Sequence, residues 1–507
     1  MTTGLTAHQL IGRVVDPDSF HGWDEPAWTS PPEDEGYRGA LARARARTGL
    51  GEAVTTGRGL LAGRPVALVA SEFGFLGGSI GVATAERITR AVERATAERL
   101  PLLALPVSGG TRMQEGTAAF LCMVRITAAL QAHQAAGLPY VSYLRNPTMG
   151  GVFASWGTLG HLVFAEPGAR LGFLGPRVYE ELRGVPLPEG IQHAETLAER
   201  GLIDAVVPPQ ELREVLRRAF AVLAGLPAAG DPPAAAPGTP RHHPSERAAD
   251  PWDSVRRTRN PERPGTRELL DGTAGELLLL GGPGGGEGAL VRALAVLHGR
   301  PVVVVGQQRG TPERERPFTA ADLRAVRRTA RLAEQLGLPL LTVVDTAGAE
   351  LSAQAELDGV AVEIAHCLTT LLALRTPVLA VLLGQGSGGG ALALLPADRV
   401  LAAGHAWLAP LPPEGASAIV YRDGDHAAEL ARAQGIGAYD LAEAGLVDQV
   451  VPELPDAAEE PGRFCERMGL AIATALAGLA DEPEGDRPAA RRRRHRWLGD
   501  RIAPGGR

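Results

Sequence analysis

The stretch 201-GLIDAVVP-208 returns 244 residues later as 445-GLVDQVVP-452. Two further landmarks keep the same order. The run 63-GRPV-66 recurs as 299-GRPV-302, at an offset of 236, and 100-LPLL-103 recurs as 338-LPLL-341, at 238. Offsets that drift by only eight residues mark two copies of one fold, with a period far too long for a solenoid. Between the copies lies 227-PAAGDPPAAAPGTPRHHPSERAA-249, rich in Pro and Ala and without periodicity, which reads as a linker. The organisation expected is an N-terminal extension over 1–35, a first domain over 36–226, the linker, a second domain over 250–480 and an Arg-rich tail over 481–507. The run 491-RRRRHRW-497 in that tail reads as solvated, with the docking of an acidic partner or of phosphates as the alternative.

Both copies show one pattern. Short apolar runs such as 65-PVALVA-70, 101-PLLALPV-107 and 139-PYVSYL-144 read as buried strands. Segments such as 83-ATAERITRAVERATAERL-100 and 320-AADLRAVRRTARLAEQLG-337 read as helices. Strands alternating with helices of this length give an α/β fold with crossover connections. Glycine-rich loops fall where strands end: 77-GGSIG-81, 108-SGGTR-112, 149-MGGV-152, 345-DTAGAE-350 and 386-GSGGGA-391. In α/β folds, such strand ends are where ligands bind.

Composition narrows the chemistry. The 507 residues suggest more than one domain, and 45% hydrophobic with 21% charged residues suits a globular enzyme. A net charge of −7 argues against nucleic acid as the partner. No apolar run reaches the roughly 18 residues that span a bilayer, and the N-terminus lacks signal-peptide features, so the expected location is cytoplasmic and off the membrane. Cys122, Cys367 and Cys465 stand far apart and form no zinc ribbon. All 51 basic residues are arginine. The absence of lysine excludes a Schiff-base lysine, a Walker-A lysine and a biotinyl-lysine on this chain.

The glycine motifs differ in weight. The match of 77-GGSIG-81 to a nucleophile elbow at Ser79 lacks a good preceding strand and a convincing Asp/His pair, so a tight loop is the simpler reading. The run 281-GGPGGGEG-288 lacks the GK[ST] ending of a phosphate loop and reads as a turn. The pair Gly150–Gly151, inside 146-NPTMGGVFASWG-157, is different because the repeat gives it a partner. An offset of 238 leads to Gly388 and Gly389, inside 384-GQGSGGGALALLPADRV-400. Successive glycines at a helix start let backbone N–H groups approach a ligand closely and stabilise a developing oxyanion. Two such sites suit a reaction between two carbonyl compounds.

At these residues the chain resembles the carboxyltransferase of bacterial acetyl-CoA carboxylase. The first half is similar to its β subunit at 75-FLGGSIG-81, 108-SGGTRMQEG-116, 146-NPTMGGVFAS-155, 165-AEPGARLGFLGPRV-178 and 199-ERGLID-204. The second half is similar to the α subunit at 252-WDSVRRTRNPERPGT-266, 299-GRPVVVVGQQRG-310, 345-DTAGA-349, 386-GSGGGALAL-394 and 412-PPEGASAI-419. The order, β then α, is that of the fused single-chain form.

The resemblance implies two tandem crotonase-like domains, built from ββα superhelical turns. It implies transfer of CO₂ from carboxybiotin to acetyl-CoA, giving malonyl-CoA. The biotin arrives on a separate carrier protein, and a biotin carboxylase subunit charges it. One oxyanion hole would hold the biotin ureido oxygen and the other the thioester oxygen. The family's glycine pairs align on Gly150–Gly151 and on Gly389–Gly390, one residue from the strict repeat offset, so Gly388 stays in play. Gly77, Gly78, Gly109, Gly110, Arg112, Met113, Gly348, Ala349, Ser387 and Gly388 are the expected substrate-binding residues. The family builds its active site between the β-like half of one unit and the α-like half of another, which implies a homodimer here.

The chain departs from the family pattern in several places. The N-terminal zinc ribbon is missing, the loops 311-TPERERPFTAAD-322 and 348-GAELSAQAELDG-359 are altered, Ser387 replaces a glycine, and the polar position before Leu162 is His161. A biotin-independent malonate decarboxylase and a non-catalytic subunit of a carboxylase complex are the competing assignments. A hydratase on the same fold would need paired carboxylates, for which Glu115 and Glu356 are the candidates.

Overall fold

The computed structural model describes residues 4–25, 34–175, 179–180, 184–223, 250–281, 288–308, 318–350, 352–482 and 485–502. The linker 227–249 lies outside them. The chain divides into two compact units, Met1–Ala224 and Gly225–Arg507, with Gly281–Gly284 grouped with the first.

The first unit opens with helix α1 (Ala7–Val14), strand β1 (His21–Gly22) and helix α2 (Glu35–Thr48). Thr6 and Gln9 close a capping box on α1, and the helix buries Ala7, Leu10, Ile11 and Val14. Helix α1 is therefore docked onto the unit. Strands β2 (Val54–Leu61) and β3 (Arg64–Ser71) form a hairpin across Ala62–Gly63. Both turn residues have positive φ, 50° and 77°, as a two-residue hairpin twisted with its strands requires.

Helix α3 (Val82–Ala97) crosses to parallel strand β4 (Leu102–Leu105), and helix α4 (Gly116–Ala135) crosses to β5 (Tyr140–Leu144). Short strand β6 (Thr148–Met149) leads straight into a one-turn helix, α5 (Gly150–Phe153). Strands β7 (Leu162–Ala165), β8 (Leu171–Gly172) and β9 (Ala205–Val206) and helix α6 (Leu212–Leu223) complete the unit. The main sheet runs β1-β2-β3-β4-β5-β7-β9, while β6 and β8 pair apart from it. Ile88, Ala91, Val92 and Ala95 form one face of α3, buried with Ala67, Val69, Leu102 and Ala104 of the sheet. At roughly 1.5–3 kcal/mol per large apolar side chain buried, that interface fixes the first crossover.

The second unit repeats this plan. Helix α7 (Pro251–Thr258) precedes β10 (Ala274–Leu280), β11 (Leu290–Leu297) and β12 (Arg300–Gln307). The β11–β12 hairpin again turns on two positive-φ residues, His298 at 47° and Gly299 at 80°. Helix α8 (Ala320–Leu336) crosses to β13 (Leu340–Thr346), helix α9 (Val360–Ala373) crosses to β14 (Val378–Ser387), and β14 runs into the one-turn helix α10 (Gly388–Leu392). Strands β15 (Arg399–Ala403), β16 (Trp407–Ala409) and β17 (Gln449–Val451) and helices α11 (Pro413–Val420), α12 (Pro461–Asp481) and α13 (Arg487–Ile502) follow. The sheet order is β10-β11-β12-β13-β14-β15-β17, with β16 pairing the end of β14. Every residue of β13 is buried, as a central parallel strand covered on both faces demands. The GLxD repeat has a job in both units. Asp204 accepts a hydrogen bond from Val163 N–H at 2.8 Å, and Asp448 accepts one from Val400 N–H at 2.7 Å.

The Arg-rich tail departs from the solvated reading. Arg491 is buried against Asp398, at 2.8 and 3.1 Å, and donates to the carbonyls of Leu371, Leu374 and Thr376. Arg492 and Arg493 stay exposed.

Candidate active site

In the first unit, three glycine loops meet. Gly109 N–H donates to Gly77 O (2.9 Å), Ile80 N–H to Gly110 O (2.9 Å), and Met149 N–H to Ser108 O (2.9 Å). These bonds stitch the ends of β3, β4 and β6 side by side. The approach is too close for side chains. A Cβ on Gly78, whose φ is 63°, would lie 2.1 Å from Val107 O. Gly150, with φ 60°, faces Gly110, and a Cβ on it would lie 3.4 Å from Gly110 Cα. Gly151 sits against Met123 of α4 and Thr111. A helix leaves its first-turn N–H groups without intrahelical acceptors, so α5 presents donors where the loops converge.

The second unit rebuilds the cradle at the same spacing. Gly110 and Gly348 have φ of 113° and 139°. Each lies in a hydroxyl turn: Gly110 N–H donates to Ser108 Oγ (3.0 Å) and Gly348 N–H to Thr346 Oγ1 (3.1 Å). Arg112 N–H donates to Ile80 O, and Glu350 N–H to Phe318 O. Gly150 and Gly388 both open a one-turn helix, at φ 60° and 62°. Gly151 backs onto α4, and Gly389 backs onto Ile364 of α9. The structural partner of Gly150–Gly151 is therefore Gly388–Gly389, at the strict offset of 238, which shifts the Gly389–Gly390 alignment by one residue. Gly390 corresponds to Val152, inside the helix. It is a glycine for packing, since a Cβ there would lie 3.0 Å from Ala349 N and 3.2 Å from Gly348 C.

Several expected contact residues turn inward. Arg112 is 1% exposed. Its guanidinium pairs bidentately with Glu52 (3.0 and 2.9 Å) and donates to Ser79 O (2.9 Å), Thr84 Oγ1 (3.1 Å) and Tyr37 Oη (3.3 Å). It locks the Ser79 loop to its own, with its donors taken up inside the fold. Burial raises the Glu52 carboxyl, but the bonds and charge of Arg112 more than offset this and hold it below the usual range. Tyr37, which donates to Glu115, is pushed up to about 12 by burial and by that carboxylate. Glu115 also accepts from Val82 N–H (2.5 Å), so it is a structural carboxylate, while Glu356 lies exposed in the second unit. Ser79 donates to Leu76 O (2.8 Å), as a loop serine does. Ser387 is buried beside Gly348, its hydroxyl without a partner. Met113 is 80% exposed on the rim of the 108–112 loop.

Glu52, Tyr37 and Gln307 escaped the sequence reading. Glu52 and Tyr37 lie far from the glycine motifs in sequence, and Gln307 is one of two adjacent glutamines in 299-GRPVVVVGQQRG-310. Among the described residues, no group of three His, Cys, Asp or Glu could hold a metal, and no helix is long and apolar enough to cross a membrane.

The carboxyl transferase domain family matches residues 5–492. A Mycobacterium tuberculosis protein named as a probable biotin-dependent acyl-coenzyme A carboxylase beta3 subunit is 56% identical over 496 residues, 98% of this chain and 99% of its own. The acetyl-coenzyme A carboxylase carboxyl transferase subunits beta/alpha of Salinispora arenicola are 41% identical over 517 residues, 98% and 91% of the two chains. Among solved structures, transcarboxylase 12S superposes with a TM-score of 0.75 at 20% identity, covering 94% of this chain and 90% of that one. The fold is therefore that of the crotonase-like carboxyltransferases.

Proposed function

The chain belongs to the carboxyl transferase domain family, and on that premise we propose that it moves a carboxyl group from carboxybiotin, on a separate carrier protein, to the α carbon of an acyl-CoA. The observation that carries this reading is the doubled cradle. The starts of α5 and α10, Gly150–Gly151 and Gly388–Gly389, offer backbone donors at equivalent points of two equivalent units, with the turns at Gly110 and Gly348 beside them. Such donors suit a pair of carbonyl oxygens, a ureido oxygen and a thioester oxygen, on which charge develops. The donor set fits biotin in this sense: the first-turn N–H groups of α5 and α10 have no intrahelical acceptor, and the buried Ser387 hydroxyl beside Gly348 is an unpartnered polar group next to the second pair. Bound biotin supplies the carboxyl group and accepts the proton released from the acyl-CoA. The chain's share is to orient both oxygens, donate hydrogen bonds to them and exclude water.

Acetyl-CoA, giving malonyl-CoA for fatty acid biosynthesis, is the substrate that the fused β/α resemblance favours. The beta3-type relative is named only for acyl-coenzyme A. The partners in this reading are the biotin carrier, a biotin carboxylase subunit and a second copy of this chain. The test incubates the purified chain with carboxylated carrier and acyl-CoAs of increasing length, and follows carboxylated products by mass spectrometry. Turnover of one or more acyl-CoAs, dependent on the carrier, is expected. Release of CO₂ from a malonyl thioester without any biotin carrier would favour the decarboxylase instead.

A further inference from the structure

We infer that Gln307 is a positioning residue for the second cradle, a clamp that sets the spacing between its two loops. The inference rests on the carboxyltransferase reading of that cradle. Gln307 ends β12 and is 1% exposed. Its Nε2 donates to Gly390 O at 2.8 Å, and its Oε1 accepts from Asp345 N–H at 3.2 Å. These two partners fix the orientation of the amide, because only the nitrogen can donate and only the oxygen can accept. Its own carbonyl accepts from Thr266 Oγ1 at 2.6 Å, which holds the end of β12 from behind.

The clamp sits where the ladder gives way. The pairing of β13 with β14 shifts register between Val344 and Thr346. At that point Asp345 N–H turns to Gln307, while Gln385 N–H donates to Asp345 Oδ1 at 3.0 Å. Irregularities of this kind re-aim the chain next to functional sites. Here the shift sends β13 into the Gly348 turn and β14 into Gly388. Gln307 bridges the two departing chains from one side chain, three residues before Gly348 on one arm and two after Gly388 on the other.

The first unit has no counterpart. Ser71 stands at the equivalent hairpin offset of 236, and its hydroxyl has no partner. The carbonyl of Val152, in the place of Gly390, accepts from Gly157 N–H at 2.9 Å instead. The second cradle thus depends on one amide for a spacing that local backbone bonds hold in the first.

Two substitutions test this. Gln307→Glu retains the shape. Protonated, its O–H can donate to Gly390 O and its C=O can accept from Asp345 N–H; ionised, it has no donor left. Gln307→Met removes both bonds at similar size. Turnover per folded molecule and amide exchange of the 388–392 segment are measured from pH 5.5 to 8.5, beside the unaltered chain. We expect the Met variant to lose roughly a hundredfold in turnover, as for a misplacement of about 1 Å, with faster exchange at every pH. The Glu variant should approach the unaltered chain at the acid end and fall towards the Met variant as pH rises. Unchanged exchange and turnover in the Met variant overturn the clamp. If the Glu variant does not fold, the Met variant decides alone. Failure of the unaltered chain to carboxylate any acyl-CoA overturns the assigned reaction, while the exchange data still decide the clamp.

Discussion

His161 and Asp398 hold the same place in the two units and solve one problem with different chemistry. Each caps a strand N–H across the sheet: His161 Nδ1 accepts from Tyr140 at 2.9 Å, and Asp398 Oδ2 accepts from Val378 at 2.8 Å. The carboxylate needs a cation and has Arg491; the imidazole is buried without one and must stay neutral. Burial, aided by His133, pushes His161 down to about 4 from the ordinary 6.5. An unfolded chain takes up that proton first, so stability is full above pH 6.5 and declines as the pH falls towards 4. The difference is on the order of 3 kcal/mol. His161→Asn keeps an acceptor for Tyr140 N–H but cannot titrate. Urea unfolding at pH 7 and pH 5 should show a larger acid loss in the unaltered chain than in the variant. Equal losses would mean that His161 is not the group. Arg112 does related work at this scale: from inside a glycine motif it holds neighbouring loops together from behind.

Among the elements, α3, α8 and the buried strands were legible because local pattern and burial agree. Ala and Arg alternate with period 3.6 where a helix covers a sheet, and positive-φ turns sit where GRPV begins. The register of the second glycine pair was not legible. Three consecutive glycines, 388–390, allow two alignments, and only the φ of Gly388 and the packing of Gly390 on Ala349 decide between them. The tail was misread for a different reason. An arginine run is a solvated face unless distant groups await it, and the partners of Arg491 lie 93 to 120 residues away in sequence. With α13 docked, Arg491 satisfies the last carbonyls of α9, the helix whose Ile364 backs Gly389. Arg491→Met should leave the Asp398 carboxylate buried and unpaired and destabilise the chain by about 3–5 kcal/mol. Arg492→Met, on the exposed side, should change unfolding by less than about 0.5 kcal/mol. Denaturant midpoints of the two variants check the contrast.

At the scale of the molecule, duplication explains why one chain carries two cradles at matched points of its two units. The repeat is constant where backbone geometry is forced, as at Gly110 and Gly348, or where a side chain ties a strand, as at Asp204 and Asp448. In the proposed function the two cradles serve two substrates as a pair, and the family resemblance implies that the pair comes from different copies of the chain. That arrangement makes a prediction that a single-chain site does not. Valine at Gly150 or at Gly388 imposes a β-branched side chain on a left-handed φ of 60° or 62°, and each substitution should silence its own cradle. Chains carrying only Gly150→Val should be inactive, as should chains carrying only Gly388→Val. Mixed in equal amounts and allowed to exchange subunits, half of the dimers contain one of each, and in these one site inherits both lesions while the other inherits none. The mixture should therefore recover about a quarter of full activity, set by the two-fold symmetry of the pairing. If both cradles of a site came from the same chain, every site in the mixture would keep one lesion and no activity would return.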